Sequence, residues 1–229
     1  MADRKPGRPT VAHLSVNTPA PVAARQTGRM RPVELRPVGT AAVLAEVADS
    51  AAARSLAAYA RAVRVPADEV VPGAKTVLFD GVRDVEALTA LLAGWRQEVE
   101  AEPGPLVELP VVYDGADLDD VAARWGTDVS GVVRRHAGIE FVVAFCGFAP
   151  GFAYLAGLPE EYAVPRLDSP RPRIPPGSVA LAGAWCGVYP SASPGGWRLL
   201  GHTDATLWDP GRDEPALLAP GTRVRFVPS

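Results

Sequence analysis

The feature that most constrains the fold is a stretch from Phe145 to Pro210 that combines many turn-forming residues with large apolar ones. Between Phe145 and Gly201 it contains nine prolines and nine glycines in 57 residues. Such a density usually accompanies disorder, but disordered segments lack the large apolar side chains that this stretch keeps. Short β-like runs (SVALAG, WRLLG, ATLWD) alternate with the turns. We therefore predict an ordered, tightly turning β structure with a shaped pocket.

The overall composition is that of an ordinary globular protein. The chain has 229 residues, of which 48% are hydrophobic and 21% charged, enough for one large or two modest domains. It has no run of 18 apolar residues, so we predict no membrane-spanning segment. Its two cysteines, Cys146 and Cys186, do not form a secreted disulfide framework. We expect a reducing, cytoplasmic location.

Charge and histidine spacing exclude two further classes of function. Residues 1–31 carry six Arg or Lys against one Asp, whereas residues 32–229 carry 17 basic against 25 acidic residues. An acidic body argues against a nucleic-acid partner. The histidines, His13, His136 and His202, have no metal-ligand spacing, so we predict no metal site.

The pattern along the chain predicts a leader and two domains. Residues 1–31 show no periodicity and are interpreted as a disordered leader. Residues 32–104 follow a β-β-α-β-β-α order, which predicts a small α/β domain with its helices on one face of a sheet. The run EAEPGP at 100–105 is interpreted as a linker. Residues 105–229 are predicted to form a β-rich domain with two short helices near its start.

Two helices of the first domain have recognisable N-terminal caps. One follows Asp49 and is predicted to reach about Val63. The other follows Asp84 and is predicted to reach about Val99, with a buried face formed by Val85, Leu88, Leu91, Leu92 and Trp95.

Several blocks of sequence in a fixed order resemble a known family. They are GFAPGFAYLAGLP, PRIPPGSVALAG, GVYPSASPGGWRLLGHT and LLAPGTRVRFVP. Together they are similar to the family named variously for the B subunit of 5-oxoprolinase, for KipI-like kinase inhibitors or for allophanate hydrolase subunit 1. The resemblance covers roughly residues 32–229, and several blocks in order are far more specific than a single motif.

The resemblance implies an α+β N-terminal domain followed by a cyclophilin-like β-barrel domain. It also implies a hetero-oligomer in which a homologous C subunit, together with an A subunit, helps this chain to open 5-oxo-L-proline to L-glutamate. The reaction consumes ATP, with Mg²⁺ accompanying the ATP, and the chain alone is expected to be inactive. Two alternatives remain open: a protein that inhibits a histidine kinase, and a subunit related to allophanate hydrolase or urea carboxylase.

One set of candidate residues points to binding of a small anionic amide. Arg166, Arg171 and Arg173 lie in a Pro-rich segment with only Asp168 as a local acid, and arginines capture carboxylate or phosphate well. The alternative is salt bridging at a surface or at an interface with another subunit. The consecutive glycines Gly195 and Gly196 can bring the backbone close to an anion. The alternative is that they only form a turn of the barrel. This set is completed by Ser193, Gly195, Gly196, Trp197 and Tyr189.

A second set of candidates concerns catalysis and the lining of the pocket. His202, followed by Thr203, is interpreted as a proton carrier or hydrogen-bond donor, with a structural role as the alternative. His136 is added because a histidine commonly stands at this position in the family. The sequence Pro176-Gly177-Ser178 predicts a turn in which the Ser178 hydroxyl bonds backbone. Pocket or interface residues are predicted to be Phe148, Phe152 and Tyr154, with core packing as the alternative, together with Ser178.

Other common catalytic devices are missing from the sequence. It has no Walker A loop, no dinucleotide motif and no kinase signature. The resemblance therefore implies an ATP site of unconventional type, shared with the C subunit. The family usually has a bulky apolar residue at 146 and Thr at 186, so both cysteines depart from its pattern and are interpreted as small buried hydrophobes.

Overall fold

The computed structural model describes residues 33–96 and 104–229. It shows a mixed α/β fold with a four-stranded sheet, a seven-stranded sheet and a separate two-stranded ribbon. The predicted leader at 1–31 and most of the predicted linker lie outside the described residues. The domain boundaries drawn from the sequence therefore stay predictions.

The first sheet consists of the strands β1 (Glu34–Val38), β2 (Ala42–Glu46), β3 (Glu69–Pro72) and β4 (Thr76–Asp80). It is antiparallel throughout, with the strand order β1-β2-β4-β3. Alternate residues of β2 and β4 are buried, as the period-2 apolar pattern predicts. The strand pattern of this half of the chain was therefore readable from the sequence.

Two capped helices cover this sheet. Helix α1 (Ser50–Ala62) begins where the Asp49 carboxylate accepts a hydrogen bond from the Ala52 N–H at 2.8 Å. Helix α2 (Val85–Leu92) begins in the same way, with Asp84 accepting from the Ala87 N–H at 2.9 Å. Such caps satisfy backbone donors that have no partner within the helix. Both predicted helix starts are confirmed.

The end and the buried face of α2 differ from the prediction. The helix stops at Leu92 rather than near Val99, and the side chains of Val85 and Leu91 are 49% and 37% exposed. The chain turns back after the helix so that Trp95 packs against α1, with its Nε1 donating to the Ser55 hydroxyl at 3.2 Å. This packing of Trp95 replaces the additional helical turn, and residues 97–99 lie outside the described part of the chain.

The second sheet contains seven strands, which are β5 (Leu106–Val111), β6 (Glu140–Cys146), β7 (Ala153–Ala156), β9 (Ser178–Ala182), β10 (Trp185–Val188), β12 (Arg198–His202) and β13 (Arg223–Pro228). The separate ribbon is formed by β8 (Arg171–Ile174) and β11 (Ser193–Gly195). The strand order in the sheet is β12-β9-β10-β7-β6-β13-β5. The strands β5 and β13 pair in parallel, whereas the other pairs are antiparallel.

The two edges of this sheet meet and nearly close it into a barrel. Val112, directly after β5, pairs with His202 at the end of β12 through two backbone hydrogen bonds of 2.9 Å. A Cβ atom on Gly201 would overlap the Val112 carbonyl, and one on Gly115 would overlap the backbone at Leu199 and Leu200. Glycine is therefore required where the two backbones approach each other. We call this contact, from Val112 to Gly115 against Leu199 to His202, the barrel seam.

Two helices follow β5 and precede β6 in the chain, and they pack on the barrel core. They are α3 (Leu118–Arg124) and α4 (Val129–Ala137), and they pack on a core that includes Phe141, Leu155 and Phe226. The predicted strand ATLWD is wrong, because it contributes only one bridge, from Trp208 to Ala216. No helix in residues 33–96 or 104–229 is long and apolar enough to cross a membrane.

Candidate functional site

His202 stands at the barrel seam with an acidic partner. Its Nδ1 lies 2.9 Å from Asp114 Oδ1, and its side chain is 42% exposed. The backbone of His202 is fixed by the pairing with Val112. His202 also lines an open cleft of about 330 Å³, together with Pro110, Val112, Thr203, Asp204, Ala205 and Ser229. We call this the seam cleft. The imidazole is thus held from one side and accessible from the other.

Thr203 and Ser178 shape the backbone next to His202. The buried Thr203 donates its N–H to the Gly177 carbonyl at 3.0 Å, and its Oγ1 accepts from the Ala205 N–H at 3.3 Å. The Ser178 hydroxyl donates to the Pro175 carbonyl at 2.8 Å. The turn role predicted for Ser178 is confirmed. Thr203 holds the chain that follows His202.

His136, predicted as a catalytic residue, lies in the barrel core. Its side chain is fully buried in the barrel core, stacked on Phe226 with ring centroids 4.6 Å apart. Burial lowers its pKa to about 3, so the ring is neutral. Burial also raises the pKa of Tyr113, whose hydroxyl keeps its proton and is hydrogen-bonded to His136 Nδ1 at 2.8 Å. His136 Nε2 then faces the Cys186 sulfur at 3.4 Å. This enclosed histidine has a structural role.

Arg171, on β8, is held by an acid distant in sequence. Its Nη2 donates to Asp117 Oδ1 at 2.8 Å, while Asp117 Oδ2 accepts from the Leu199 N–H at 2.7 Å. No described residue bonds to Arg171 Nη1 or to the hydroxyl of Ser193, although both atoms are buried. Buried polar groups normally find a partner. The ribbon therefore carries two groups suited to a ligand oxyanion.

Tyr189 and Arg166 lie beside this ribbon. Burial raises the pKa of Tyr189 to about 12, and the nearby guanidinium groups of Arg166 and Arg171 act in the opposite direction. The phenol is therefore neutral at pH 7 and can donate a hydrogen bond. Arg173 is exposed and no ion pair joins it to the described residues. The structure brings together Arg166, Arg171 and Tyr189, but not Arg173.

The two glycines of the predicted anion turn have different surroundings. A Cβ on Gly195 would overlap the Tyr189 hydroxyl, whereas a Cβ on Gly196 would meet nothing nearer than 3.5 Å. Trp197 is buried and packs edge-to-face on Phe152 at 5.4 Å. Trp197, which was named with the anion-binding candidates, has its ring in an apolar cluster. Gly195 is the glycine that close packing requires.

The predicted pocket aromatics separate into core and surface. Phe152 is buried, and Tyr154 stacks on Phe145 with centroids 4.4 Å apart. Phe148, in contrast, is 62% exposed and adopts a φ of 68°. A positive φ is uncommon for a bulky residue and indicates local strain. Among these aromatics, Phe148 is the one available for contact with another molecule.

Three acidic residues at this end of the barrel were not found by sequence reasoning. Asp114 partners His202 and Asp117 partners Arg171, across 88 and 54 residues of chain. Asp120 pairs with Arg198, whose buried guanidinium also donates to the Pro165 carbonyl at 2.9 Å. The only sequence signal was a cluster of aspartates before a helix, which is equally typical of an N-cap. Asp117 occupies that position but makes no side-chain capping bond.

The described residues contain no cluster of metal ligands and no reactive thiol. Within residues 33–96 and 104–229, no group of three His, Cys, Asp or Glu side chains could hold a metal ion. Cys186 is buried and Cys146 is partly buried, and burial raises the pKa of both thiols. A high pKa keeps a thiol protonated and unreactive. Their positions agree with small hydrophobes.

The sequence of the chain is similar to relatives that all have the same name. The family model described as carboxyltransferase domain, subdomain C and D, matches residues 33–218. The B subunit of 5-oxoprolinase from Escherichia coli O157:H7 is 46% identical over 168 residues, covering 70% of this chain and 77% of the relative. The B subunit of the same enzyme from Haemophilus influenzae is 38% identical over 183 residues, covering 76% and 86%.

Solved structures agree with this placement. The crystal structure of TTHA0988 matches with a TM-score of 0.72 and 34% identity over 83% of this chain, which spans only 40% of the TTHA0988 chain. The urea carboxylase of Kluyveromyces lactis matches with a TM-score of 0.65 at 22% identity, covering 86% of this chain and 22% of that enzyme. The latter likeness shows the fold alone. The chain therefore belongs to the carboxyltransferase subdomain C and D family and, within it, to the group of 5-oxoprolinase B subunits.

Proposed function

We propose that this chain is the B subunit of an ATP-dependent 5-oxoprolinase, which opens 5-oxo-L-proline to L-glutamate together with a homologous C subunit, and with an A subunit that hydrolyses the lactam. Relatives that are named as B subunits of this enzyme, at 46% and 38% identity, support the proposal. The proposal places the complex in the cytoplasm, where ATP is available. It also takes the barrel to be cyclophilin-like and the chain to be inactive without its partners.

The observation that carries the proposal is the pair of unpartnered polar atoms on the β8–β11 ribbon. Arg171 Nη1 and the hydroxyl of Ser193 are buried without a partner among the described residues. Asp117 holds the other edge of the Arg171 guanidinium at 2.8 Å, which fixes the orientation of Nη1. A charge-assisted bond from arginine suits a carboxylate or phosphoryl oxygen. Because both atoms are shielded, we expect the ribbon to shift when a ligand enters.

This ribbon also fits the phosphate groups that the proposed reaction requires. Arg166 and Arg171 supply positive charge, and the neutral phenol of Tyr189 supplies a donor. ATP, when bound, supplies the phosphoryl group that activates the otherwise stable lactam carbonyl. The described residues offer no group of three acidic, histidine or cysteine side chains that could hold Mg²⁺.

The alternatives receive no comparable support. The likeness to urea carboxylase shows the fold alone at 22% identity. Inhibition of a histidine kinase corresponds to no specific contact within the described residues. We therefore propose the oxoprolinase role alone.

Omission of the chain tests the proposed function. The three subunits are co-expressed, and ATP-dependent release of glutamate from 5-oxoproline is measured with and without this chain. We expect turnover only with all three subunits. Unchanged turnover without this chain would contradict the proposal.

Substitution of Arg171 tests the ribbon. Arg171→Gln should raise one KM about tenfold or more, since a hydrogen bond to a charged group contributes about 1.5–3 kcal/mol. A higher KM for 5-oxoproline identifies the ligand oxyanion as the substrate carboxylate, and a higher KM for ATP identifies it as a phosphoryl group. Arg83→Gln, which removes an exposed ion pair with Asp68, is the control. If Arg171→Gln changes neither KM, the ribbon is not the anion site.

A further inference from the structure

The barrel seam places a histidine–aspartate pair beside a cleft, in an arrangement suited to proton transfer. We propose that Asp114 orients His202 so that His202 Nε2 accepts a proton from a small ligand bound in the seam cleft. Nothing else identified at the site provides a group of this kind, because His136 is enclosed in the core. The inference rests on the proposed function for the identity of the ligand, but its geometry stands independently.

The hydrogen bond to Asp114 determines which nitrogen is free. A carboxylate only accepts hydrogen bonds, so the 2.9 Å contact requires His202 Nδ1 to carry the proton. In the neutral ring the lone pair then lies on Nε2. No described residue bonds to Nε2, and the imidazole is 42% exposed where it lines the seam cleft. Nε2 is therefore a free proton acceptor.

The backbone around the pair is rigid, so the orientation is built into the fold. His202 exchanges two backbone hydrogen bonds with Val112, and the Gly115 N–H donates to the Leu200 carbonyl at 3.1 Å. Thr203 is tied to Gly177 directly afterwards. Both members of the pair thus stand on segments fixed to each other. Catalytic groups held on rigid elements keep their geometry better than groups on free loops.

The size and charge of the cleft indicate what it binds. A volume of about 330 Å³ lies at the small end of ligand pockets. Its lining contains Asp204 but no Arg or Lys, and Asp114 adds a second carboxylate behind His202. Such surroundings favour an uncharged group over an anion inside the cleft. The cleft therefore suits the neutral amide part of a ligand.

Within the proposed reaction, the transferred proton is the lactam N–H. The lactam oxygen attacks the γ-phosphorus of a nucleoside triphosphate, so that an O–P bond forms and the bond from that phosphorus to the diphosphate breaks. The N–H bond breaks at the same time, its electrons form the C=N bond, and its proton passes to His202 Nε2. The products are an O-phosphorylated imidate, a nucleoside diphosphate and an imidazolium beside Asp114. His202 is then the catalytic residue and Asp114 a positioning residue.

The tautomer of His202 in the isolated full chain tests the geometry. Two-bond ¹H–¹⁵N correlation spectra distinguish a ring protonated at Nδ1 from one protonated at Nε2, and the chain has only three histidines to assign. We expect the Nδ1–H form in the wild type and a shift toward the Nε2–H form in Asp114→Ala. Asp68→Ala is the matched control, because Asp68 is a similarly exposed partner in an ion pair with Arg83. A wild-type His202 in the Nε2–H form would overturn the inference.

Kinetics of the complex assembled from all three subunits test the role. Asp114→Ala should lower kcat about tenfold to hundredfold with little change in KM for 5-oxoproline, whereas Asp68→Ala should change neither. An unchanged kcat in Asp114→Ala would overturn the inference while leaving the proposed function intact. Absence of glutamate release by the wild-type complex would instead contradict the proposed function. The tautomer measured in the isolated chain would then still show whether Asp114 orients His202.

Discussion

The two histidines of the barrel contact neighbouring residues of one loop, yet their surroundings are opposite. Tyr113 bonds to His136 in the core, and the next residue, Asp114, bonds to His202 at the surface. His136 is fully buried and its pKa is lowered to about 3, whereas His202 is 42% exposed beside a cleft. Burial without a charged partner gives a structural histidine. A carboxylate partner and an open side give a histidine that can move a proton.

The largest change in stability should come from disturbing the barrel seam, where the backbone at Gly201 packs closely on Val112. In Gly201→Ala the new methyl group would overlap the Val112 carbonyl, and overpacking against backbone should cost about 3 kcal/mol or more of unfolding free energy. In Gly196→Ala the methyl group meets nothing nearer than 3.5 Å, and the change should stay within about 1 kcal/mol. Urea unfolding measures both. Equal effects would show that the seam is not tightly closed.

Removal of the Tyr113 hydroxyl, which is bonded to His136, should cause the second largest loss of unfolding free energy. Tyr113→Phe leaves the buried His136 Nδ1 without its 2.8 Å partner, and an unsatisfied buried polar atom costs about 1–3 kcal/mol. Tyr59→Phe is the control, because its lost bond to the Leu91 carbonyl lies at the surface, where water replaces it. A Tyr113→Phe variant no less stable than Tyr59→Phe would contradict the role given to His136.

A loss of stability at low pH should identify His136 as the buried one of the two histidines. In the folded chain its pKa is about 3, below its ordinary value of 6.5. Between these values the unfolded chain binds a proton that the folded chain does not. The contribution of His136 is thus complete above pH 6.5 and falls, by up to about 1.4 kcal/mol per pH unit, as the pH drops toward 3. His136→Gln should remove this part of the slope in unfolding experiments from pH 4 to 8, and an unchanged slope would show that His136 is protonated in the folded state.

The sequence predicted local structure better than long-range pairing. The strands β2, β4, β9 and β12 and the caps at Asp49 and Asp84 followed from short β-like runs and side-chain chemistry that act over a few residues. The barrel itself and the family came from resemblance. Pairings such as His202 with Asp114 bring together residues 88 positions apart, and nothing local encodes them. Asp117 shows the limit most clearly, because a side chain typical of a helix cap instead holds Arg171.

The same limit explains why the two histidines could not be ranked from the sequence. Both lie near strand residues and aromatic residues in the chain, and a histidine commonly stands at the position of His136 in the family. Their difference is one of burial, which is set by the closing of the barrel. Only the folded arrangement separates a neutral core histidine from an accessible one.

The smallest change in stability, and the most direct test of the account, should come from His202→Gln in the assembled complex. Because His202 is partly exposed, we expect its unfolding free energy to change by no more than about 0.5 kcal/mol. ATP-dependent glutamate release should nevertheless fall about 10²-fold to 10⁴-fold, as expected for loss of a general base. His136→Gln should show the reverse, with lower stability and with turnover retained at a temperature where it is folded. Full turnover by a folded His202→Gln complex would contradict the account.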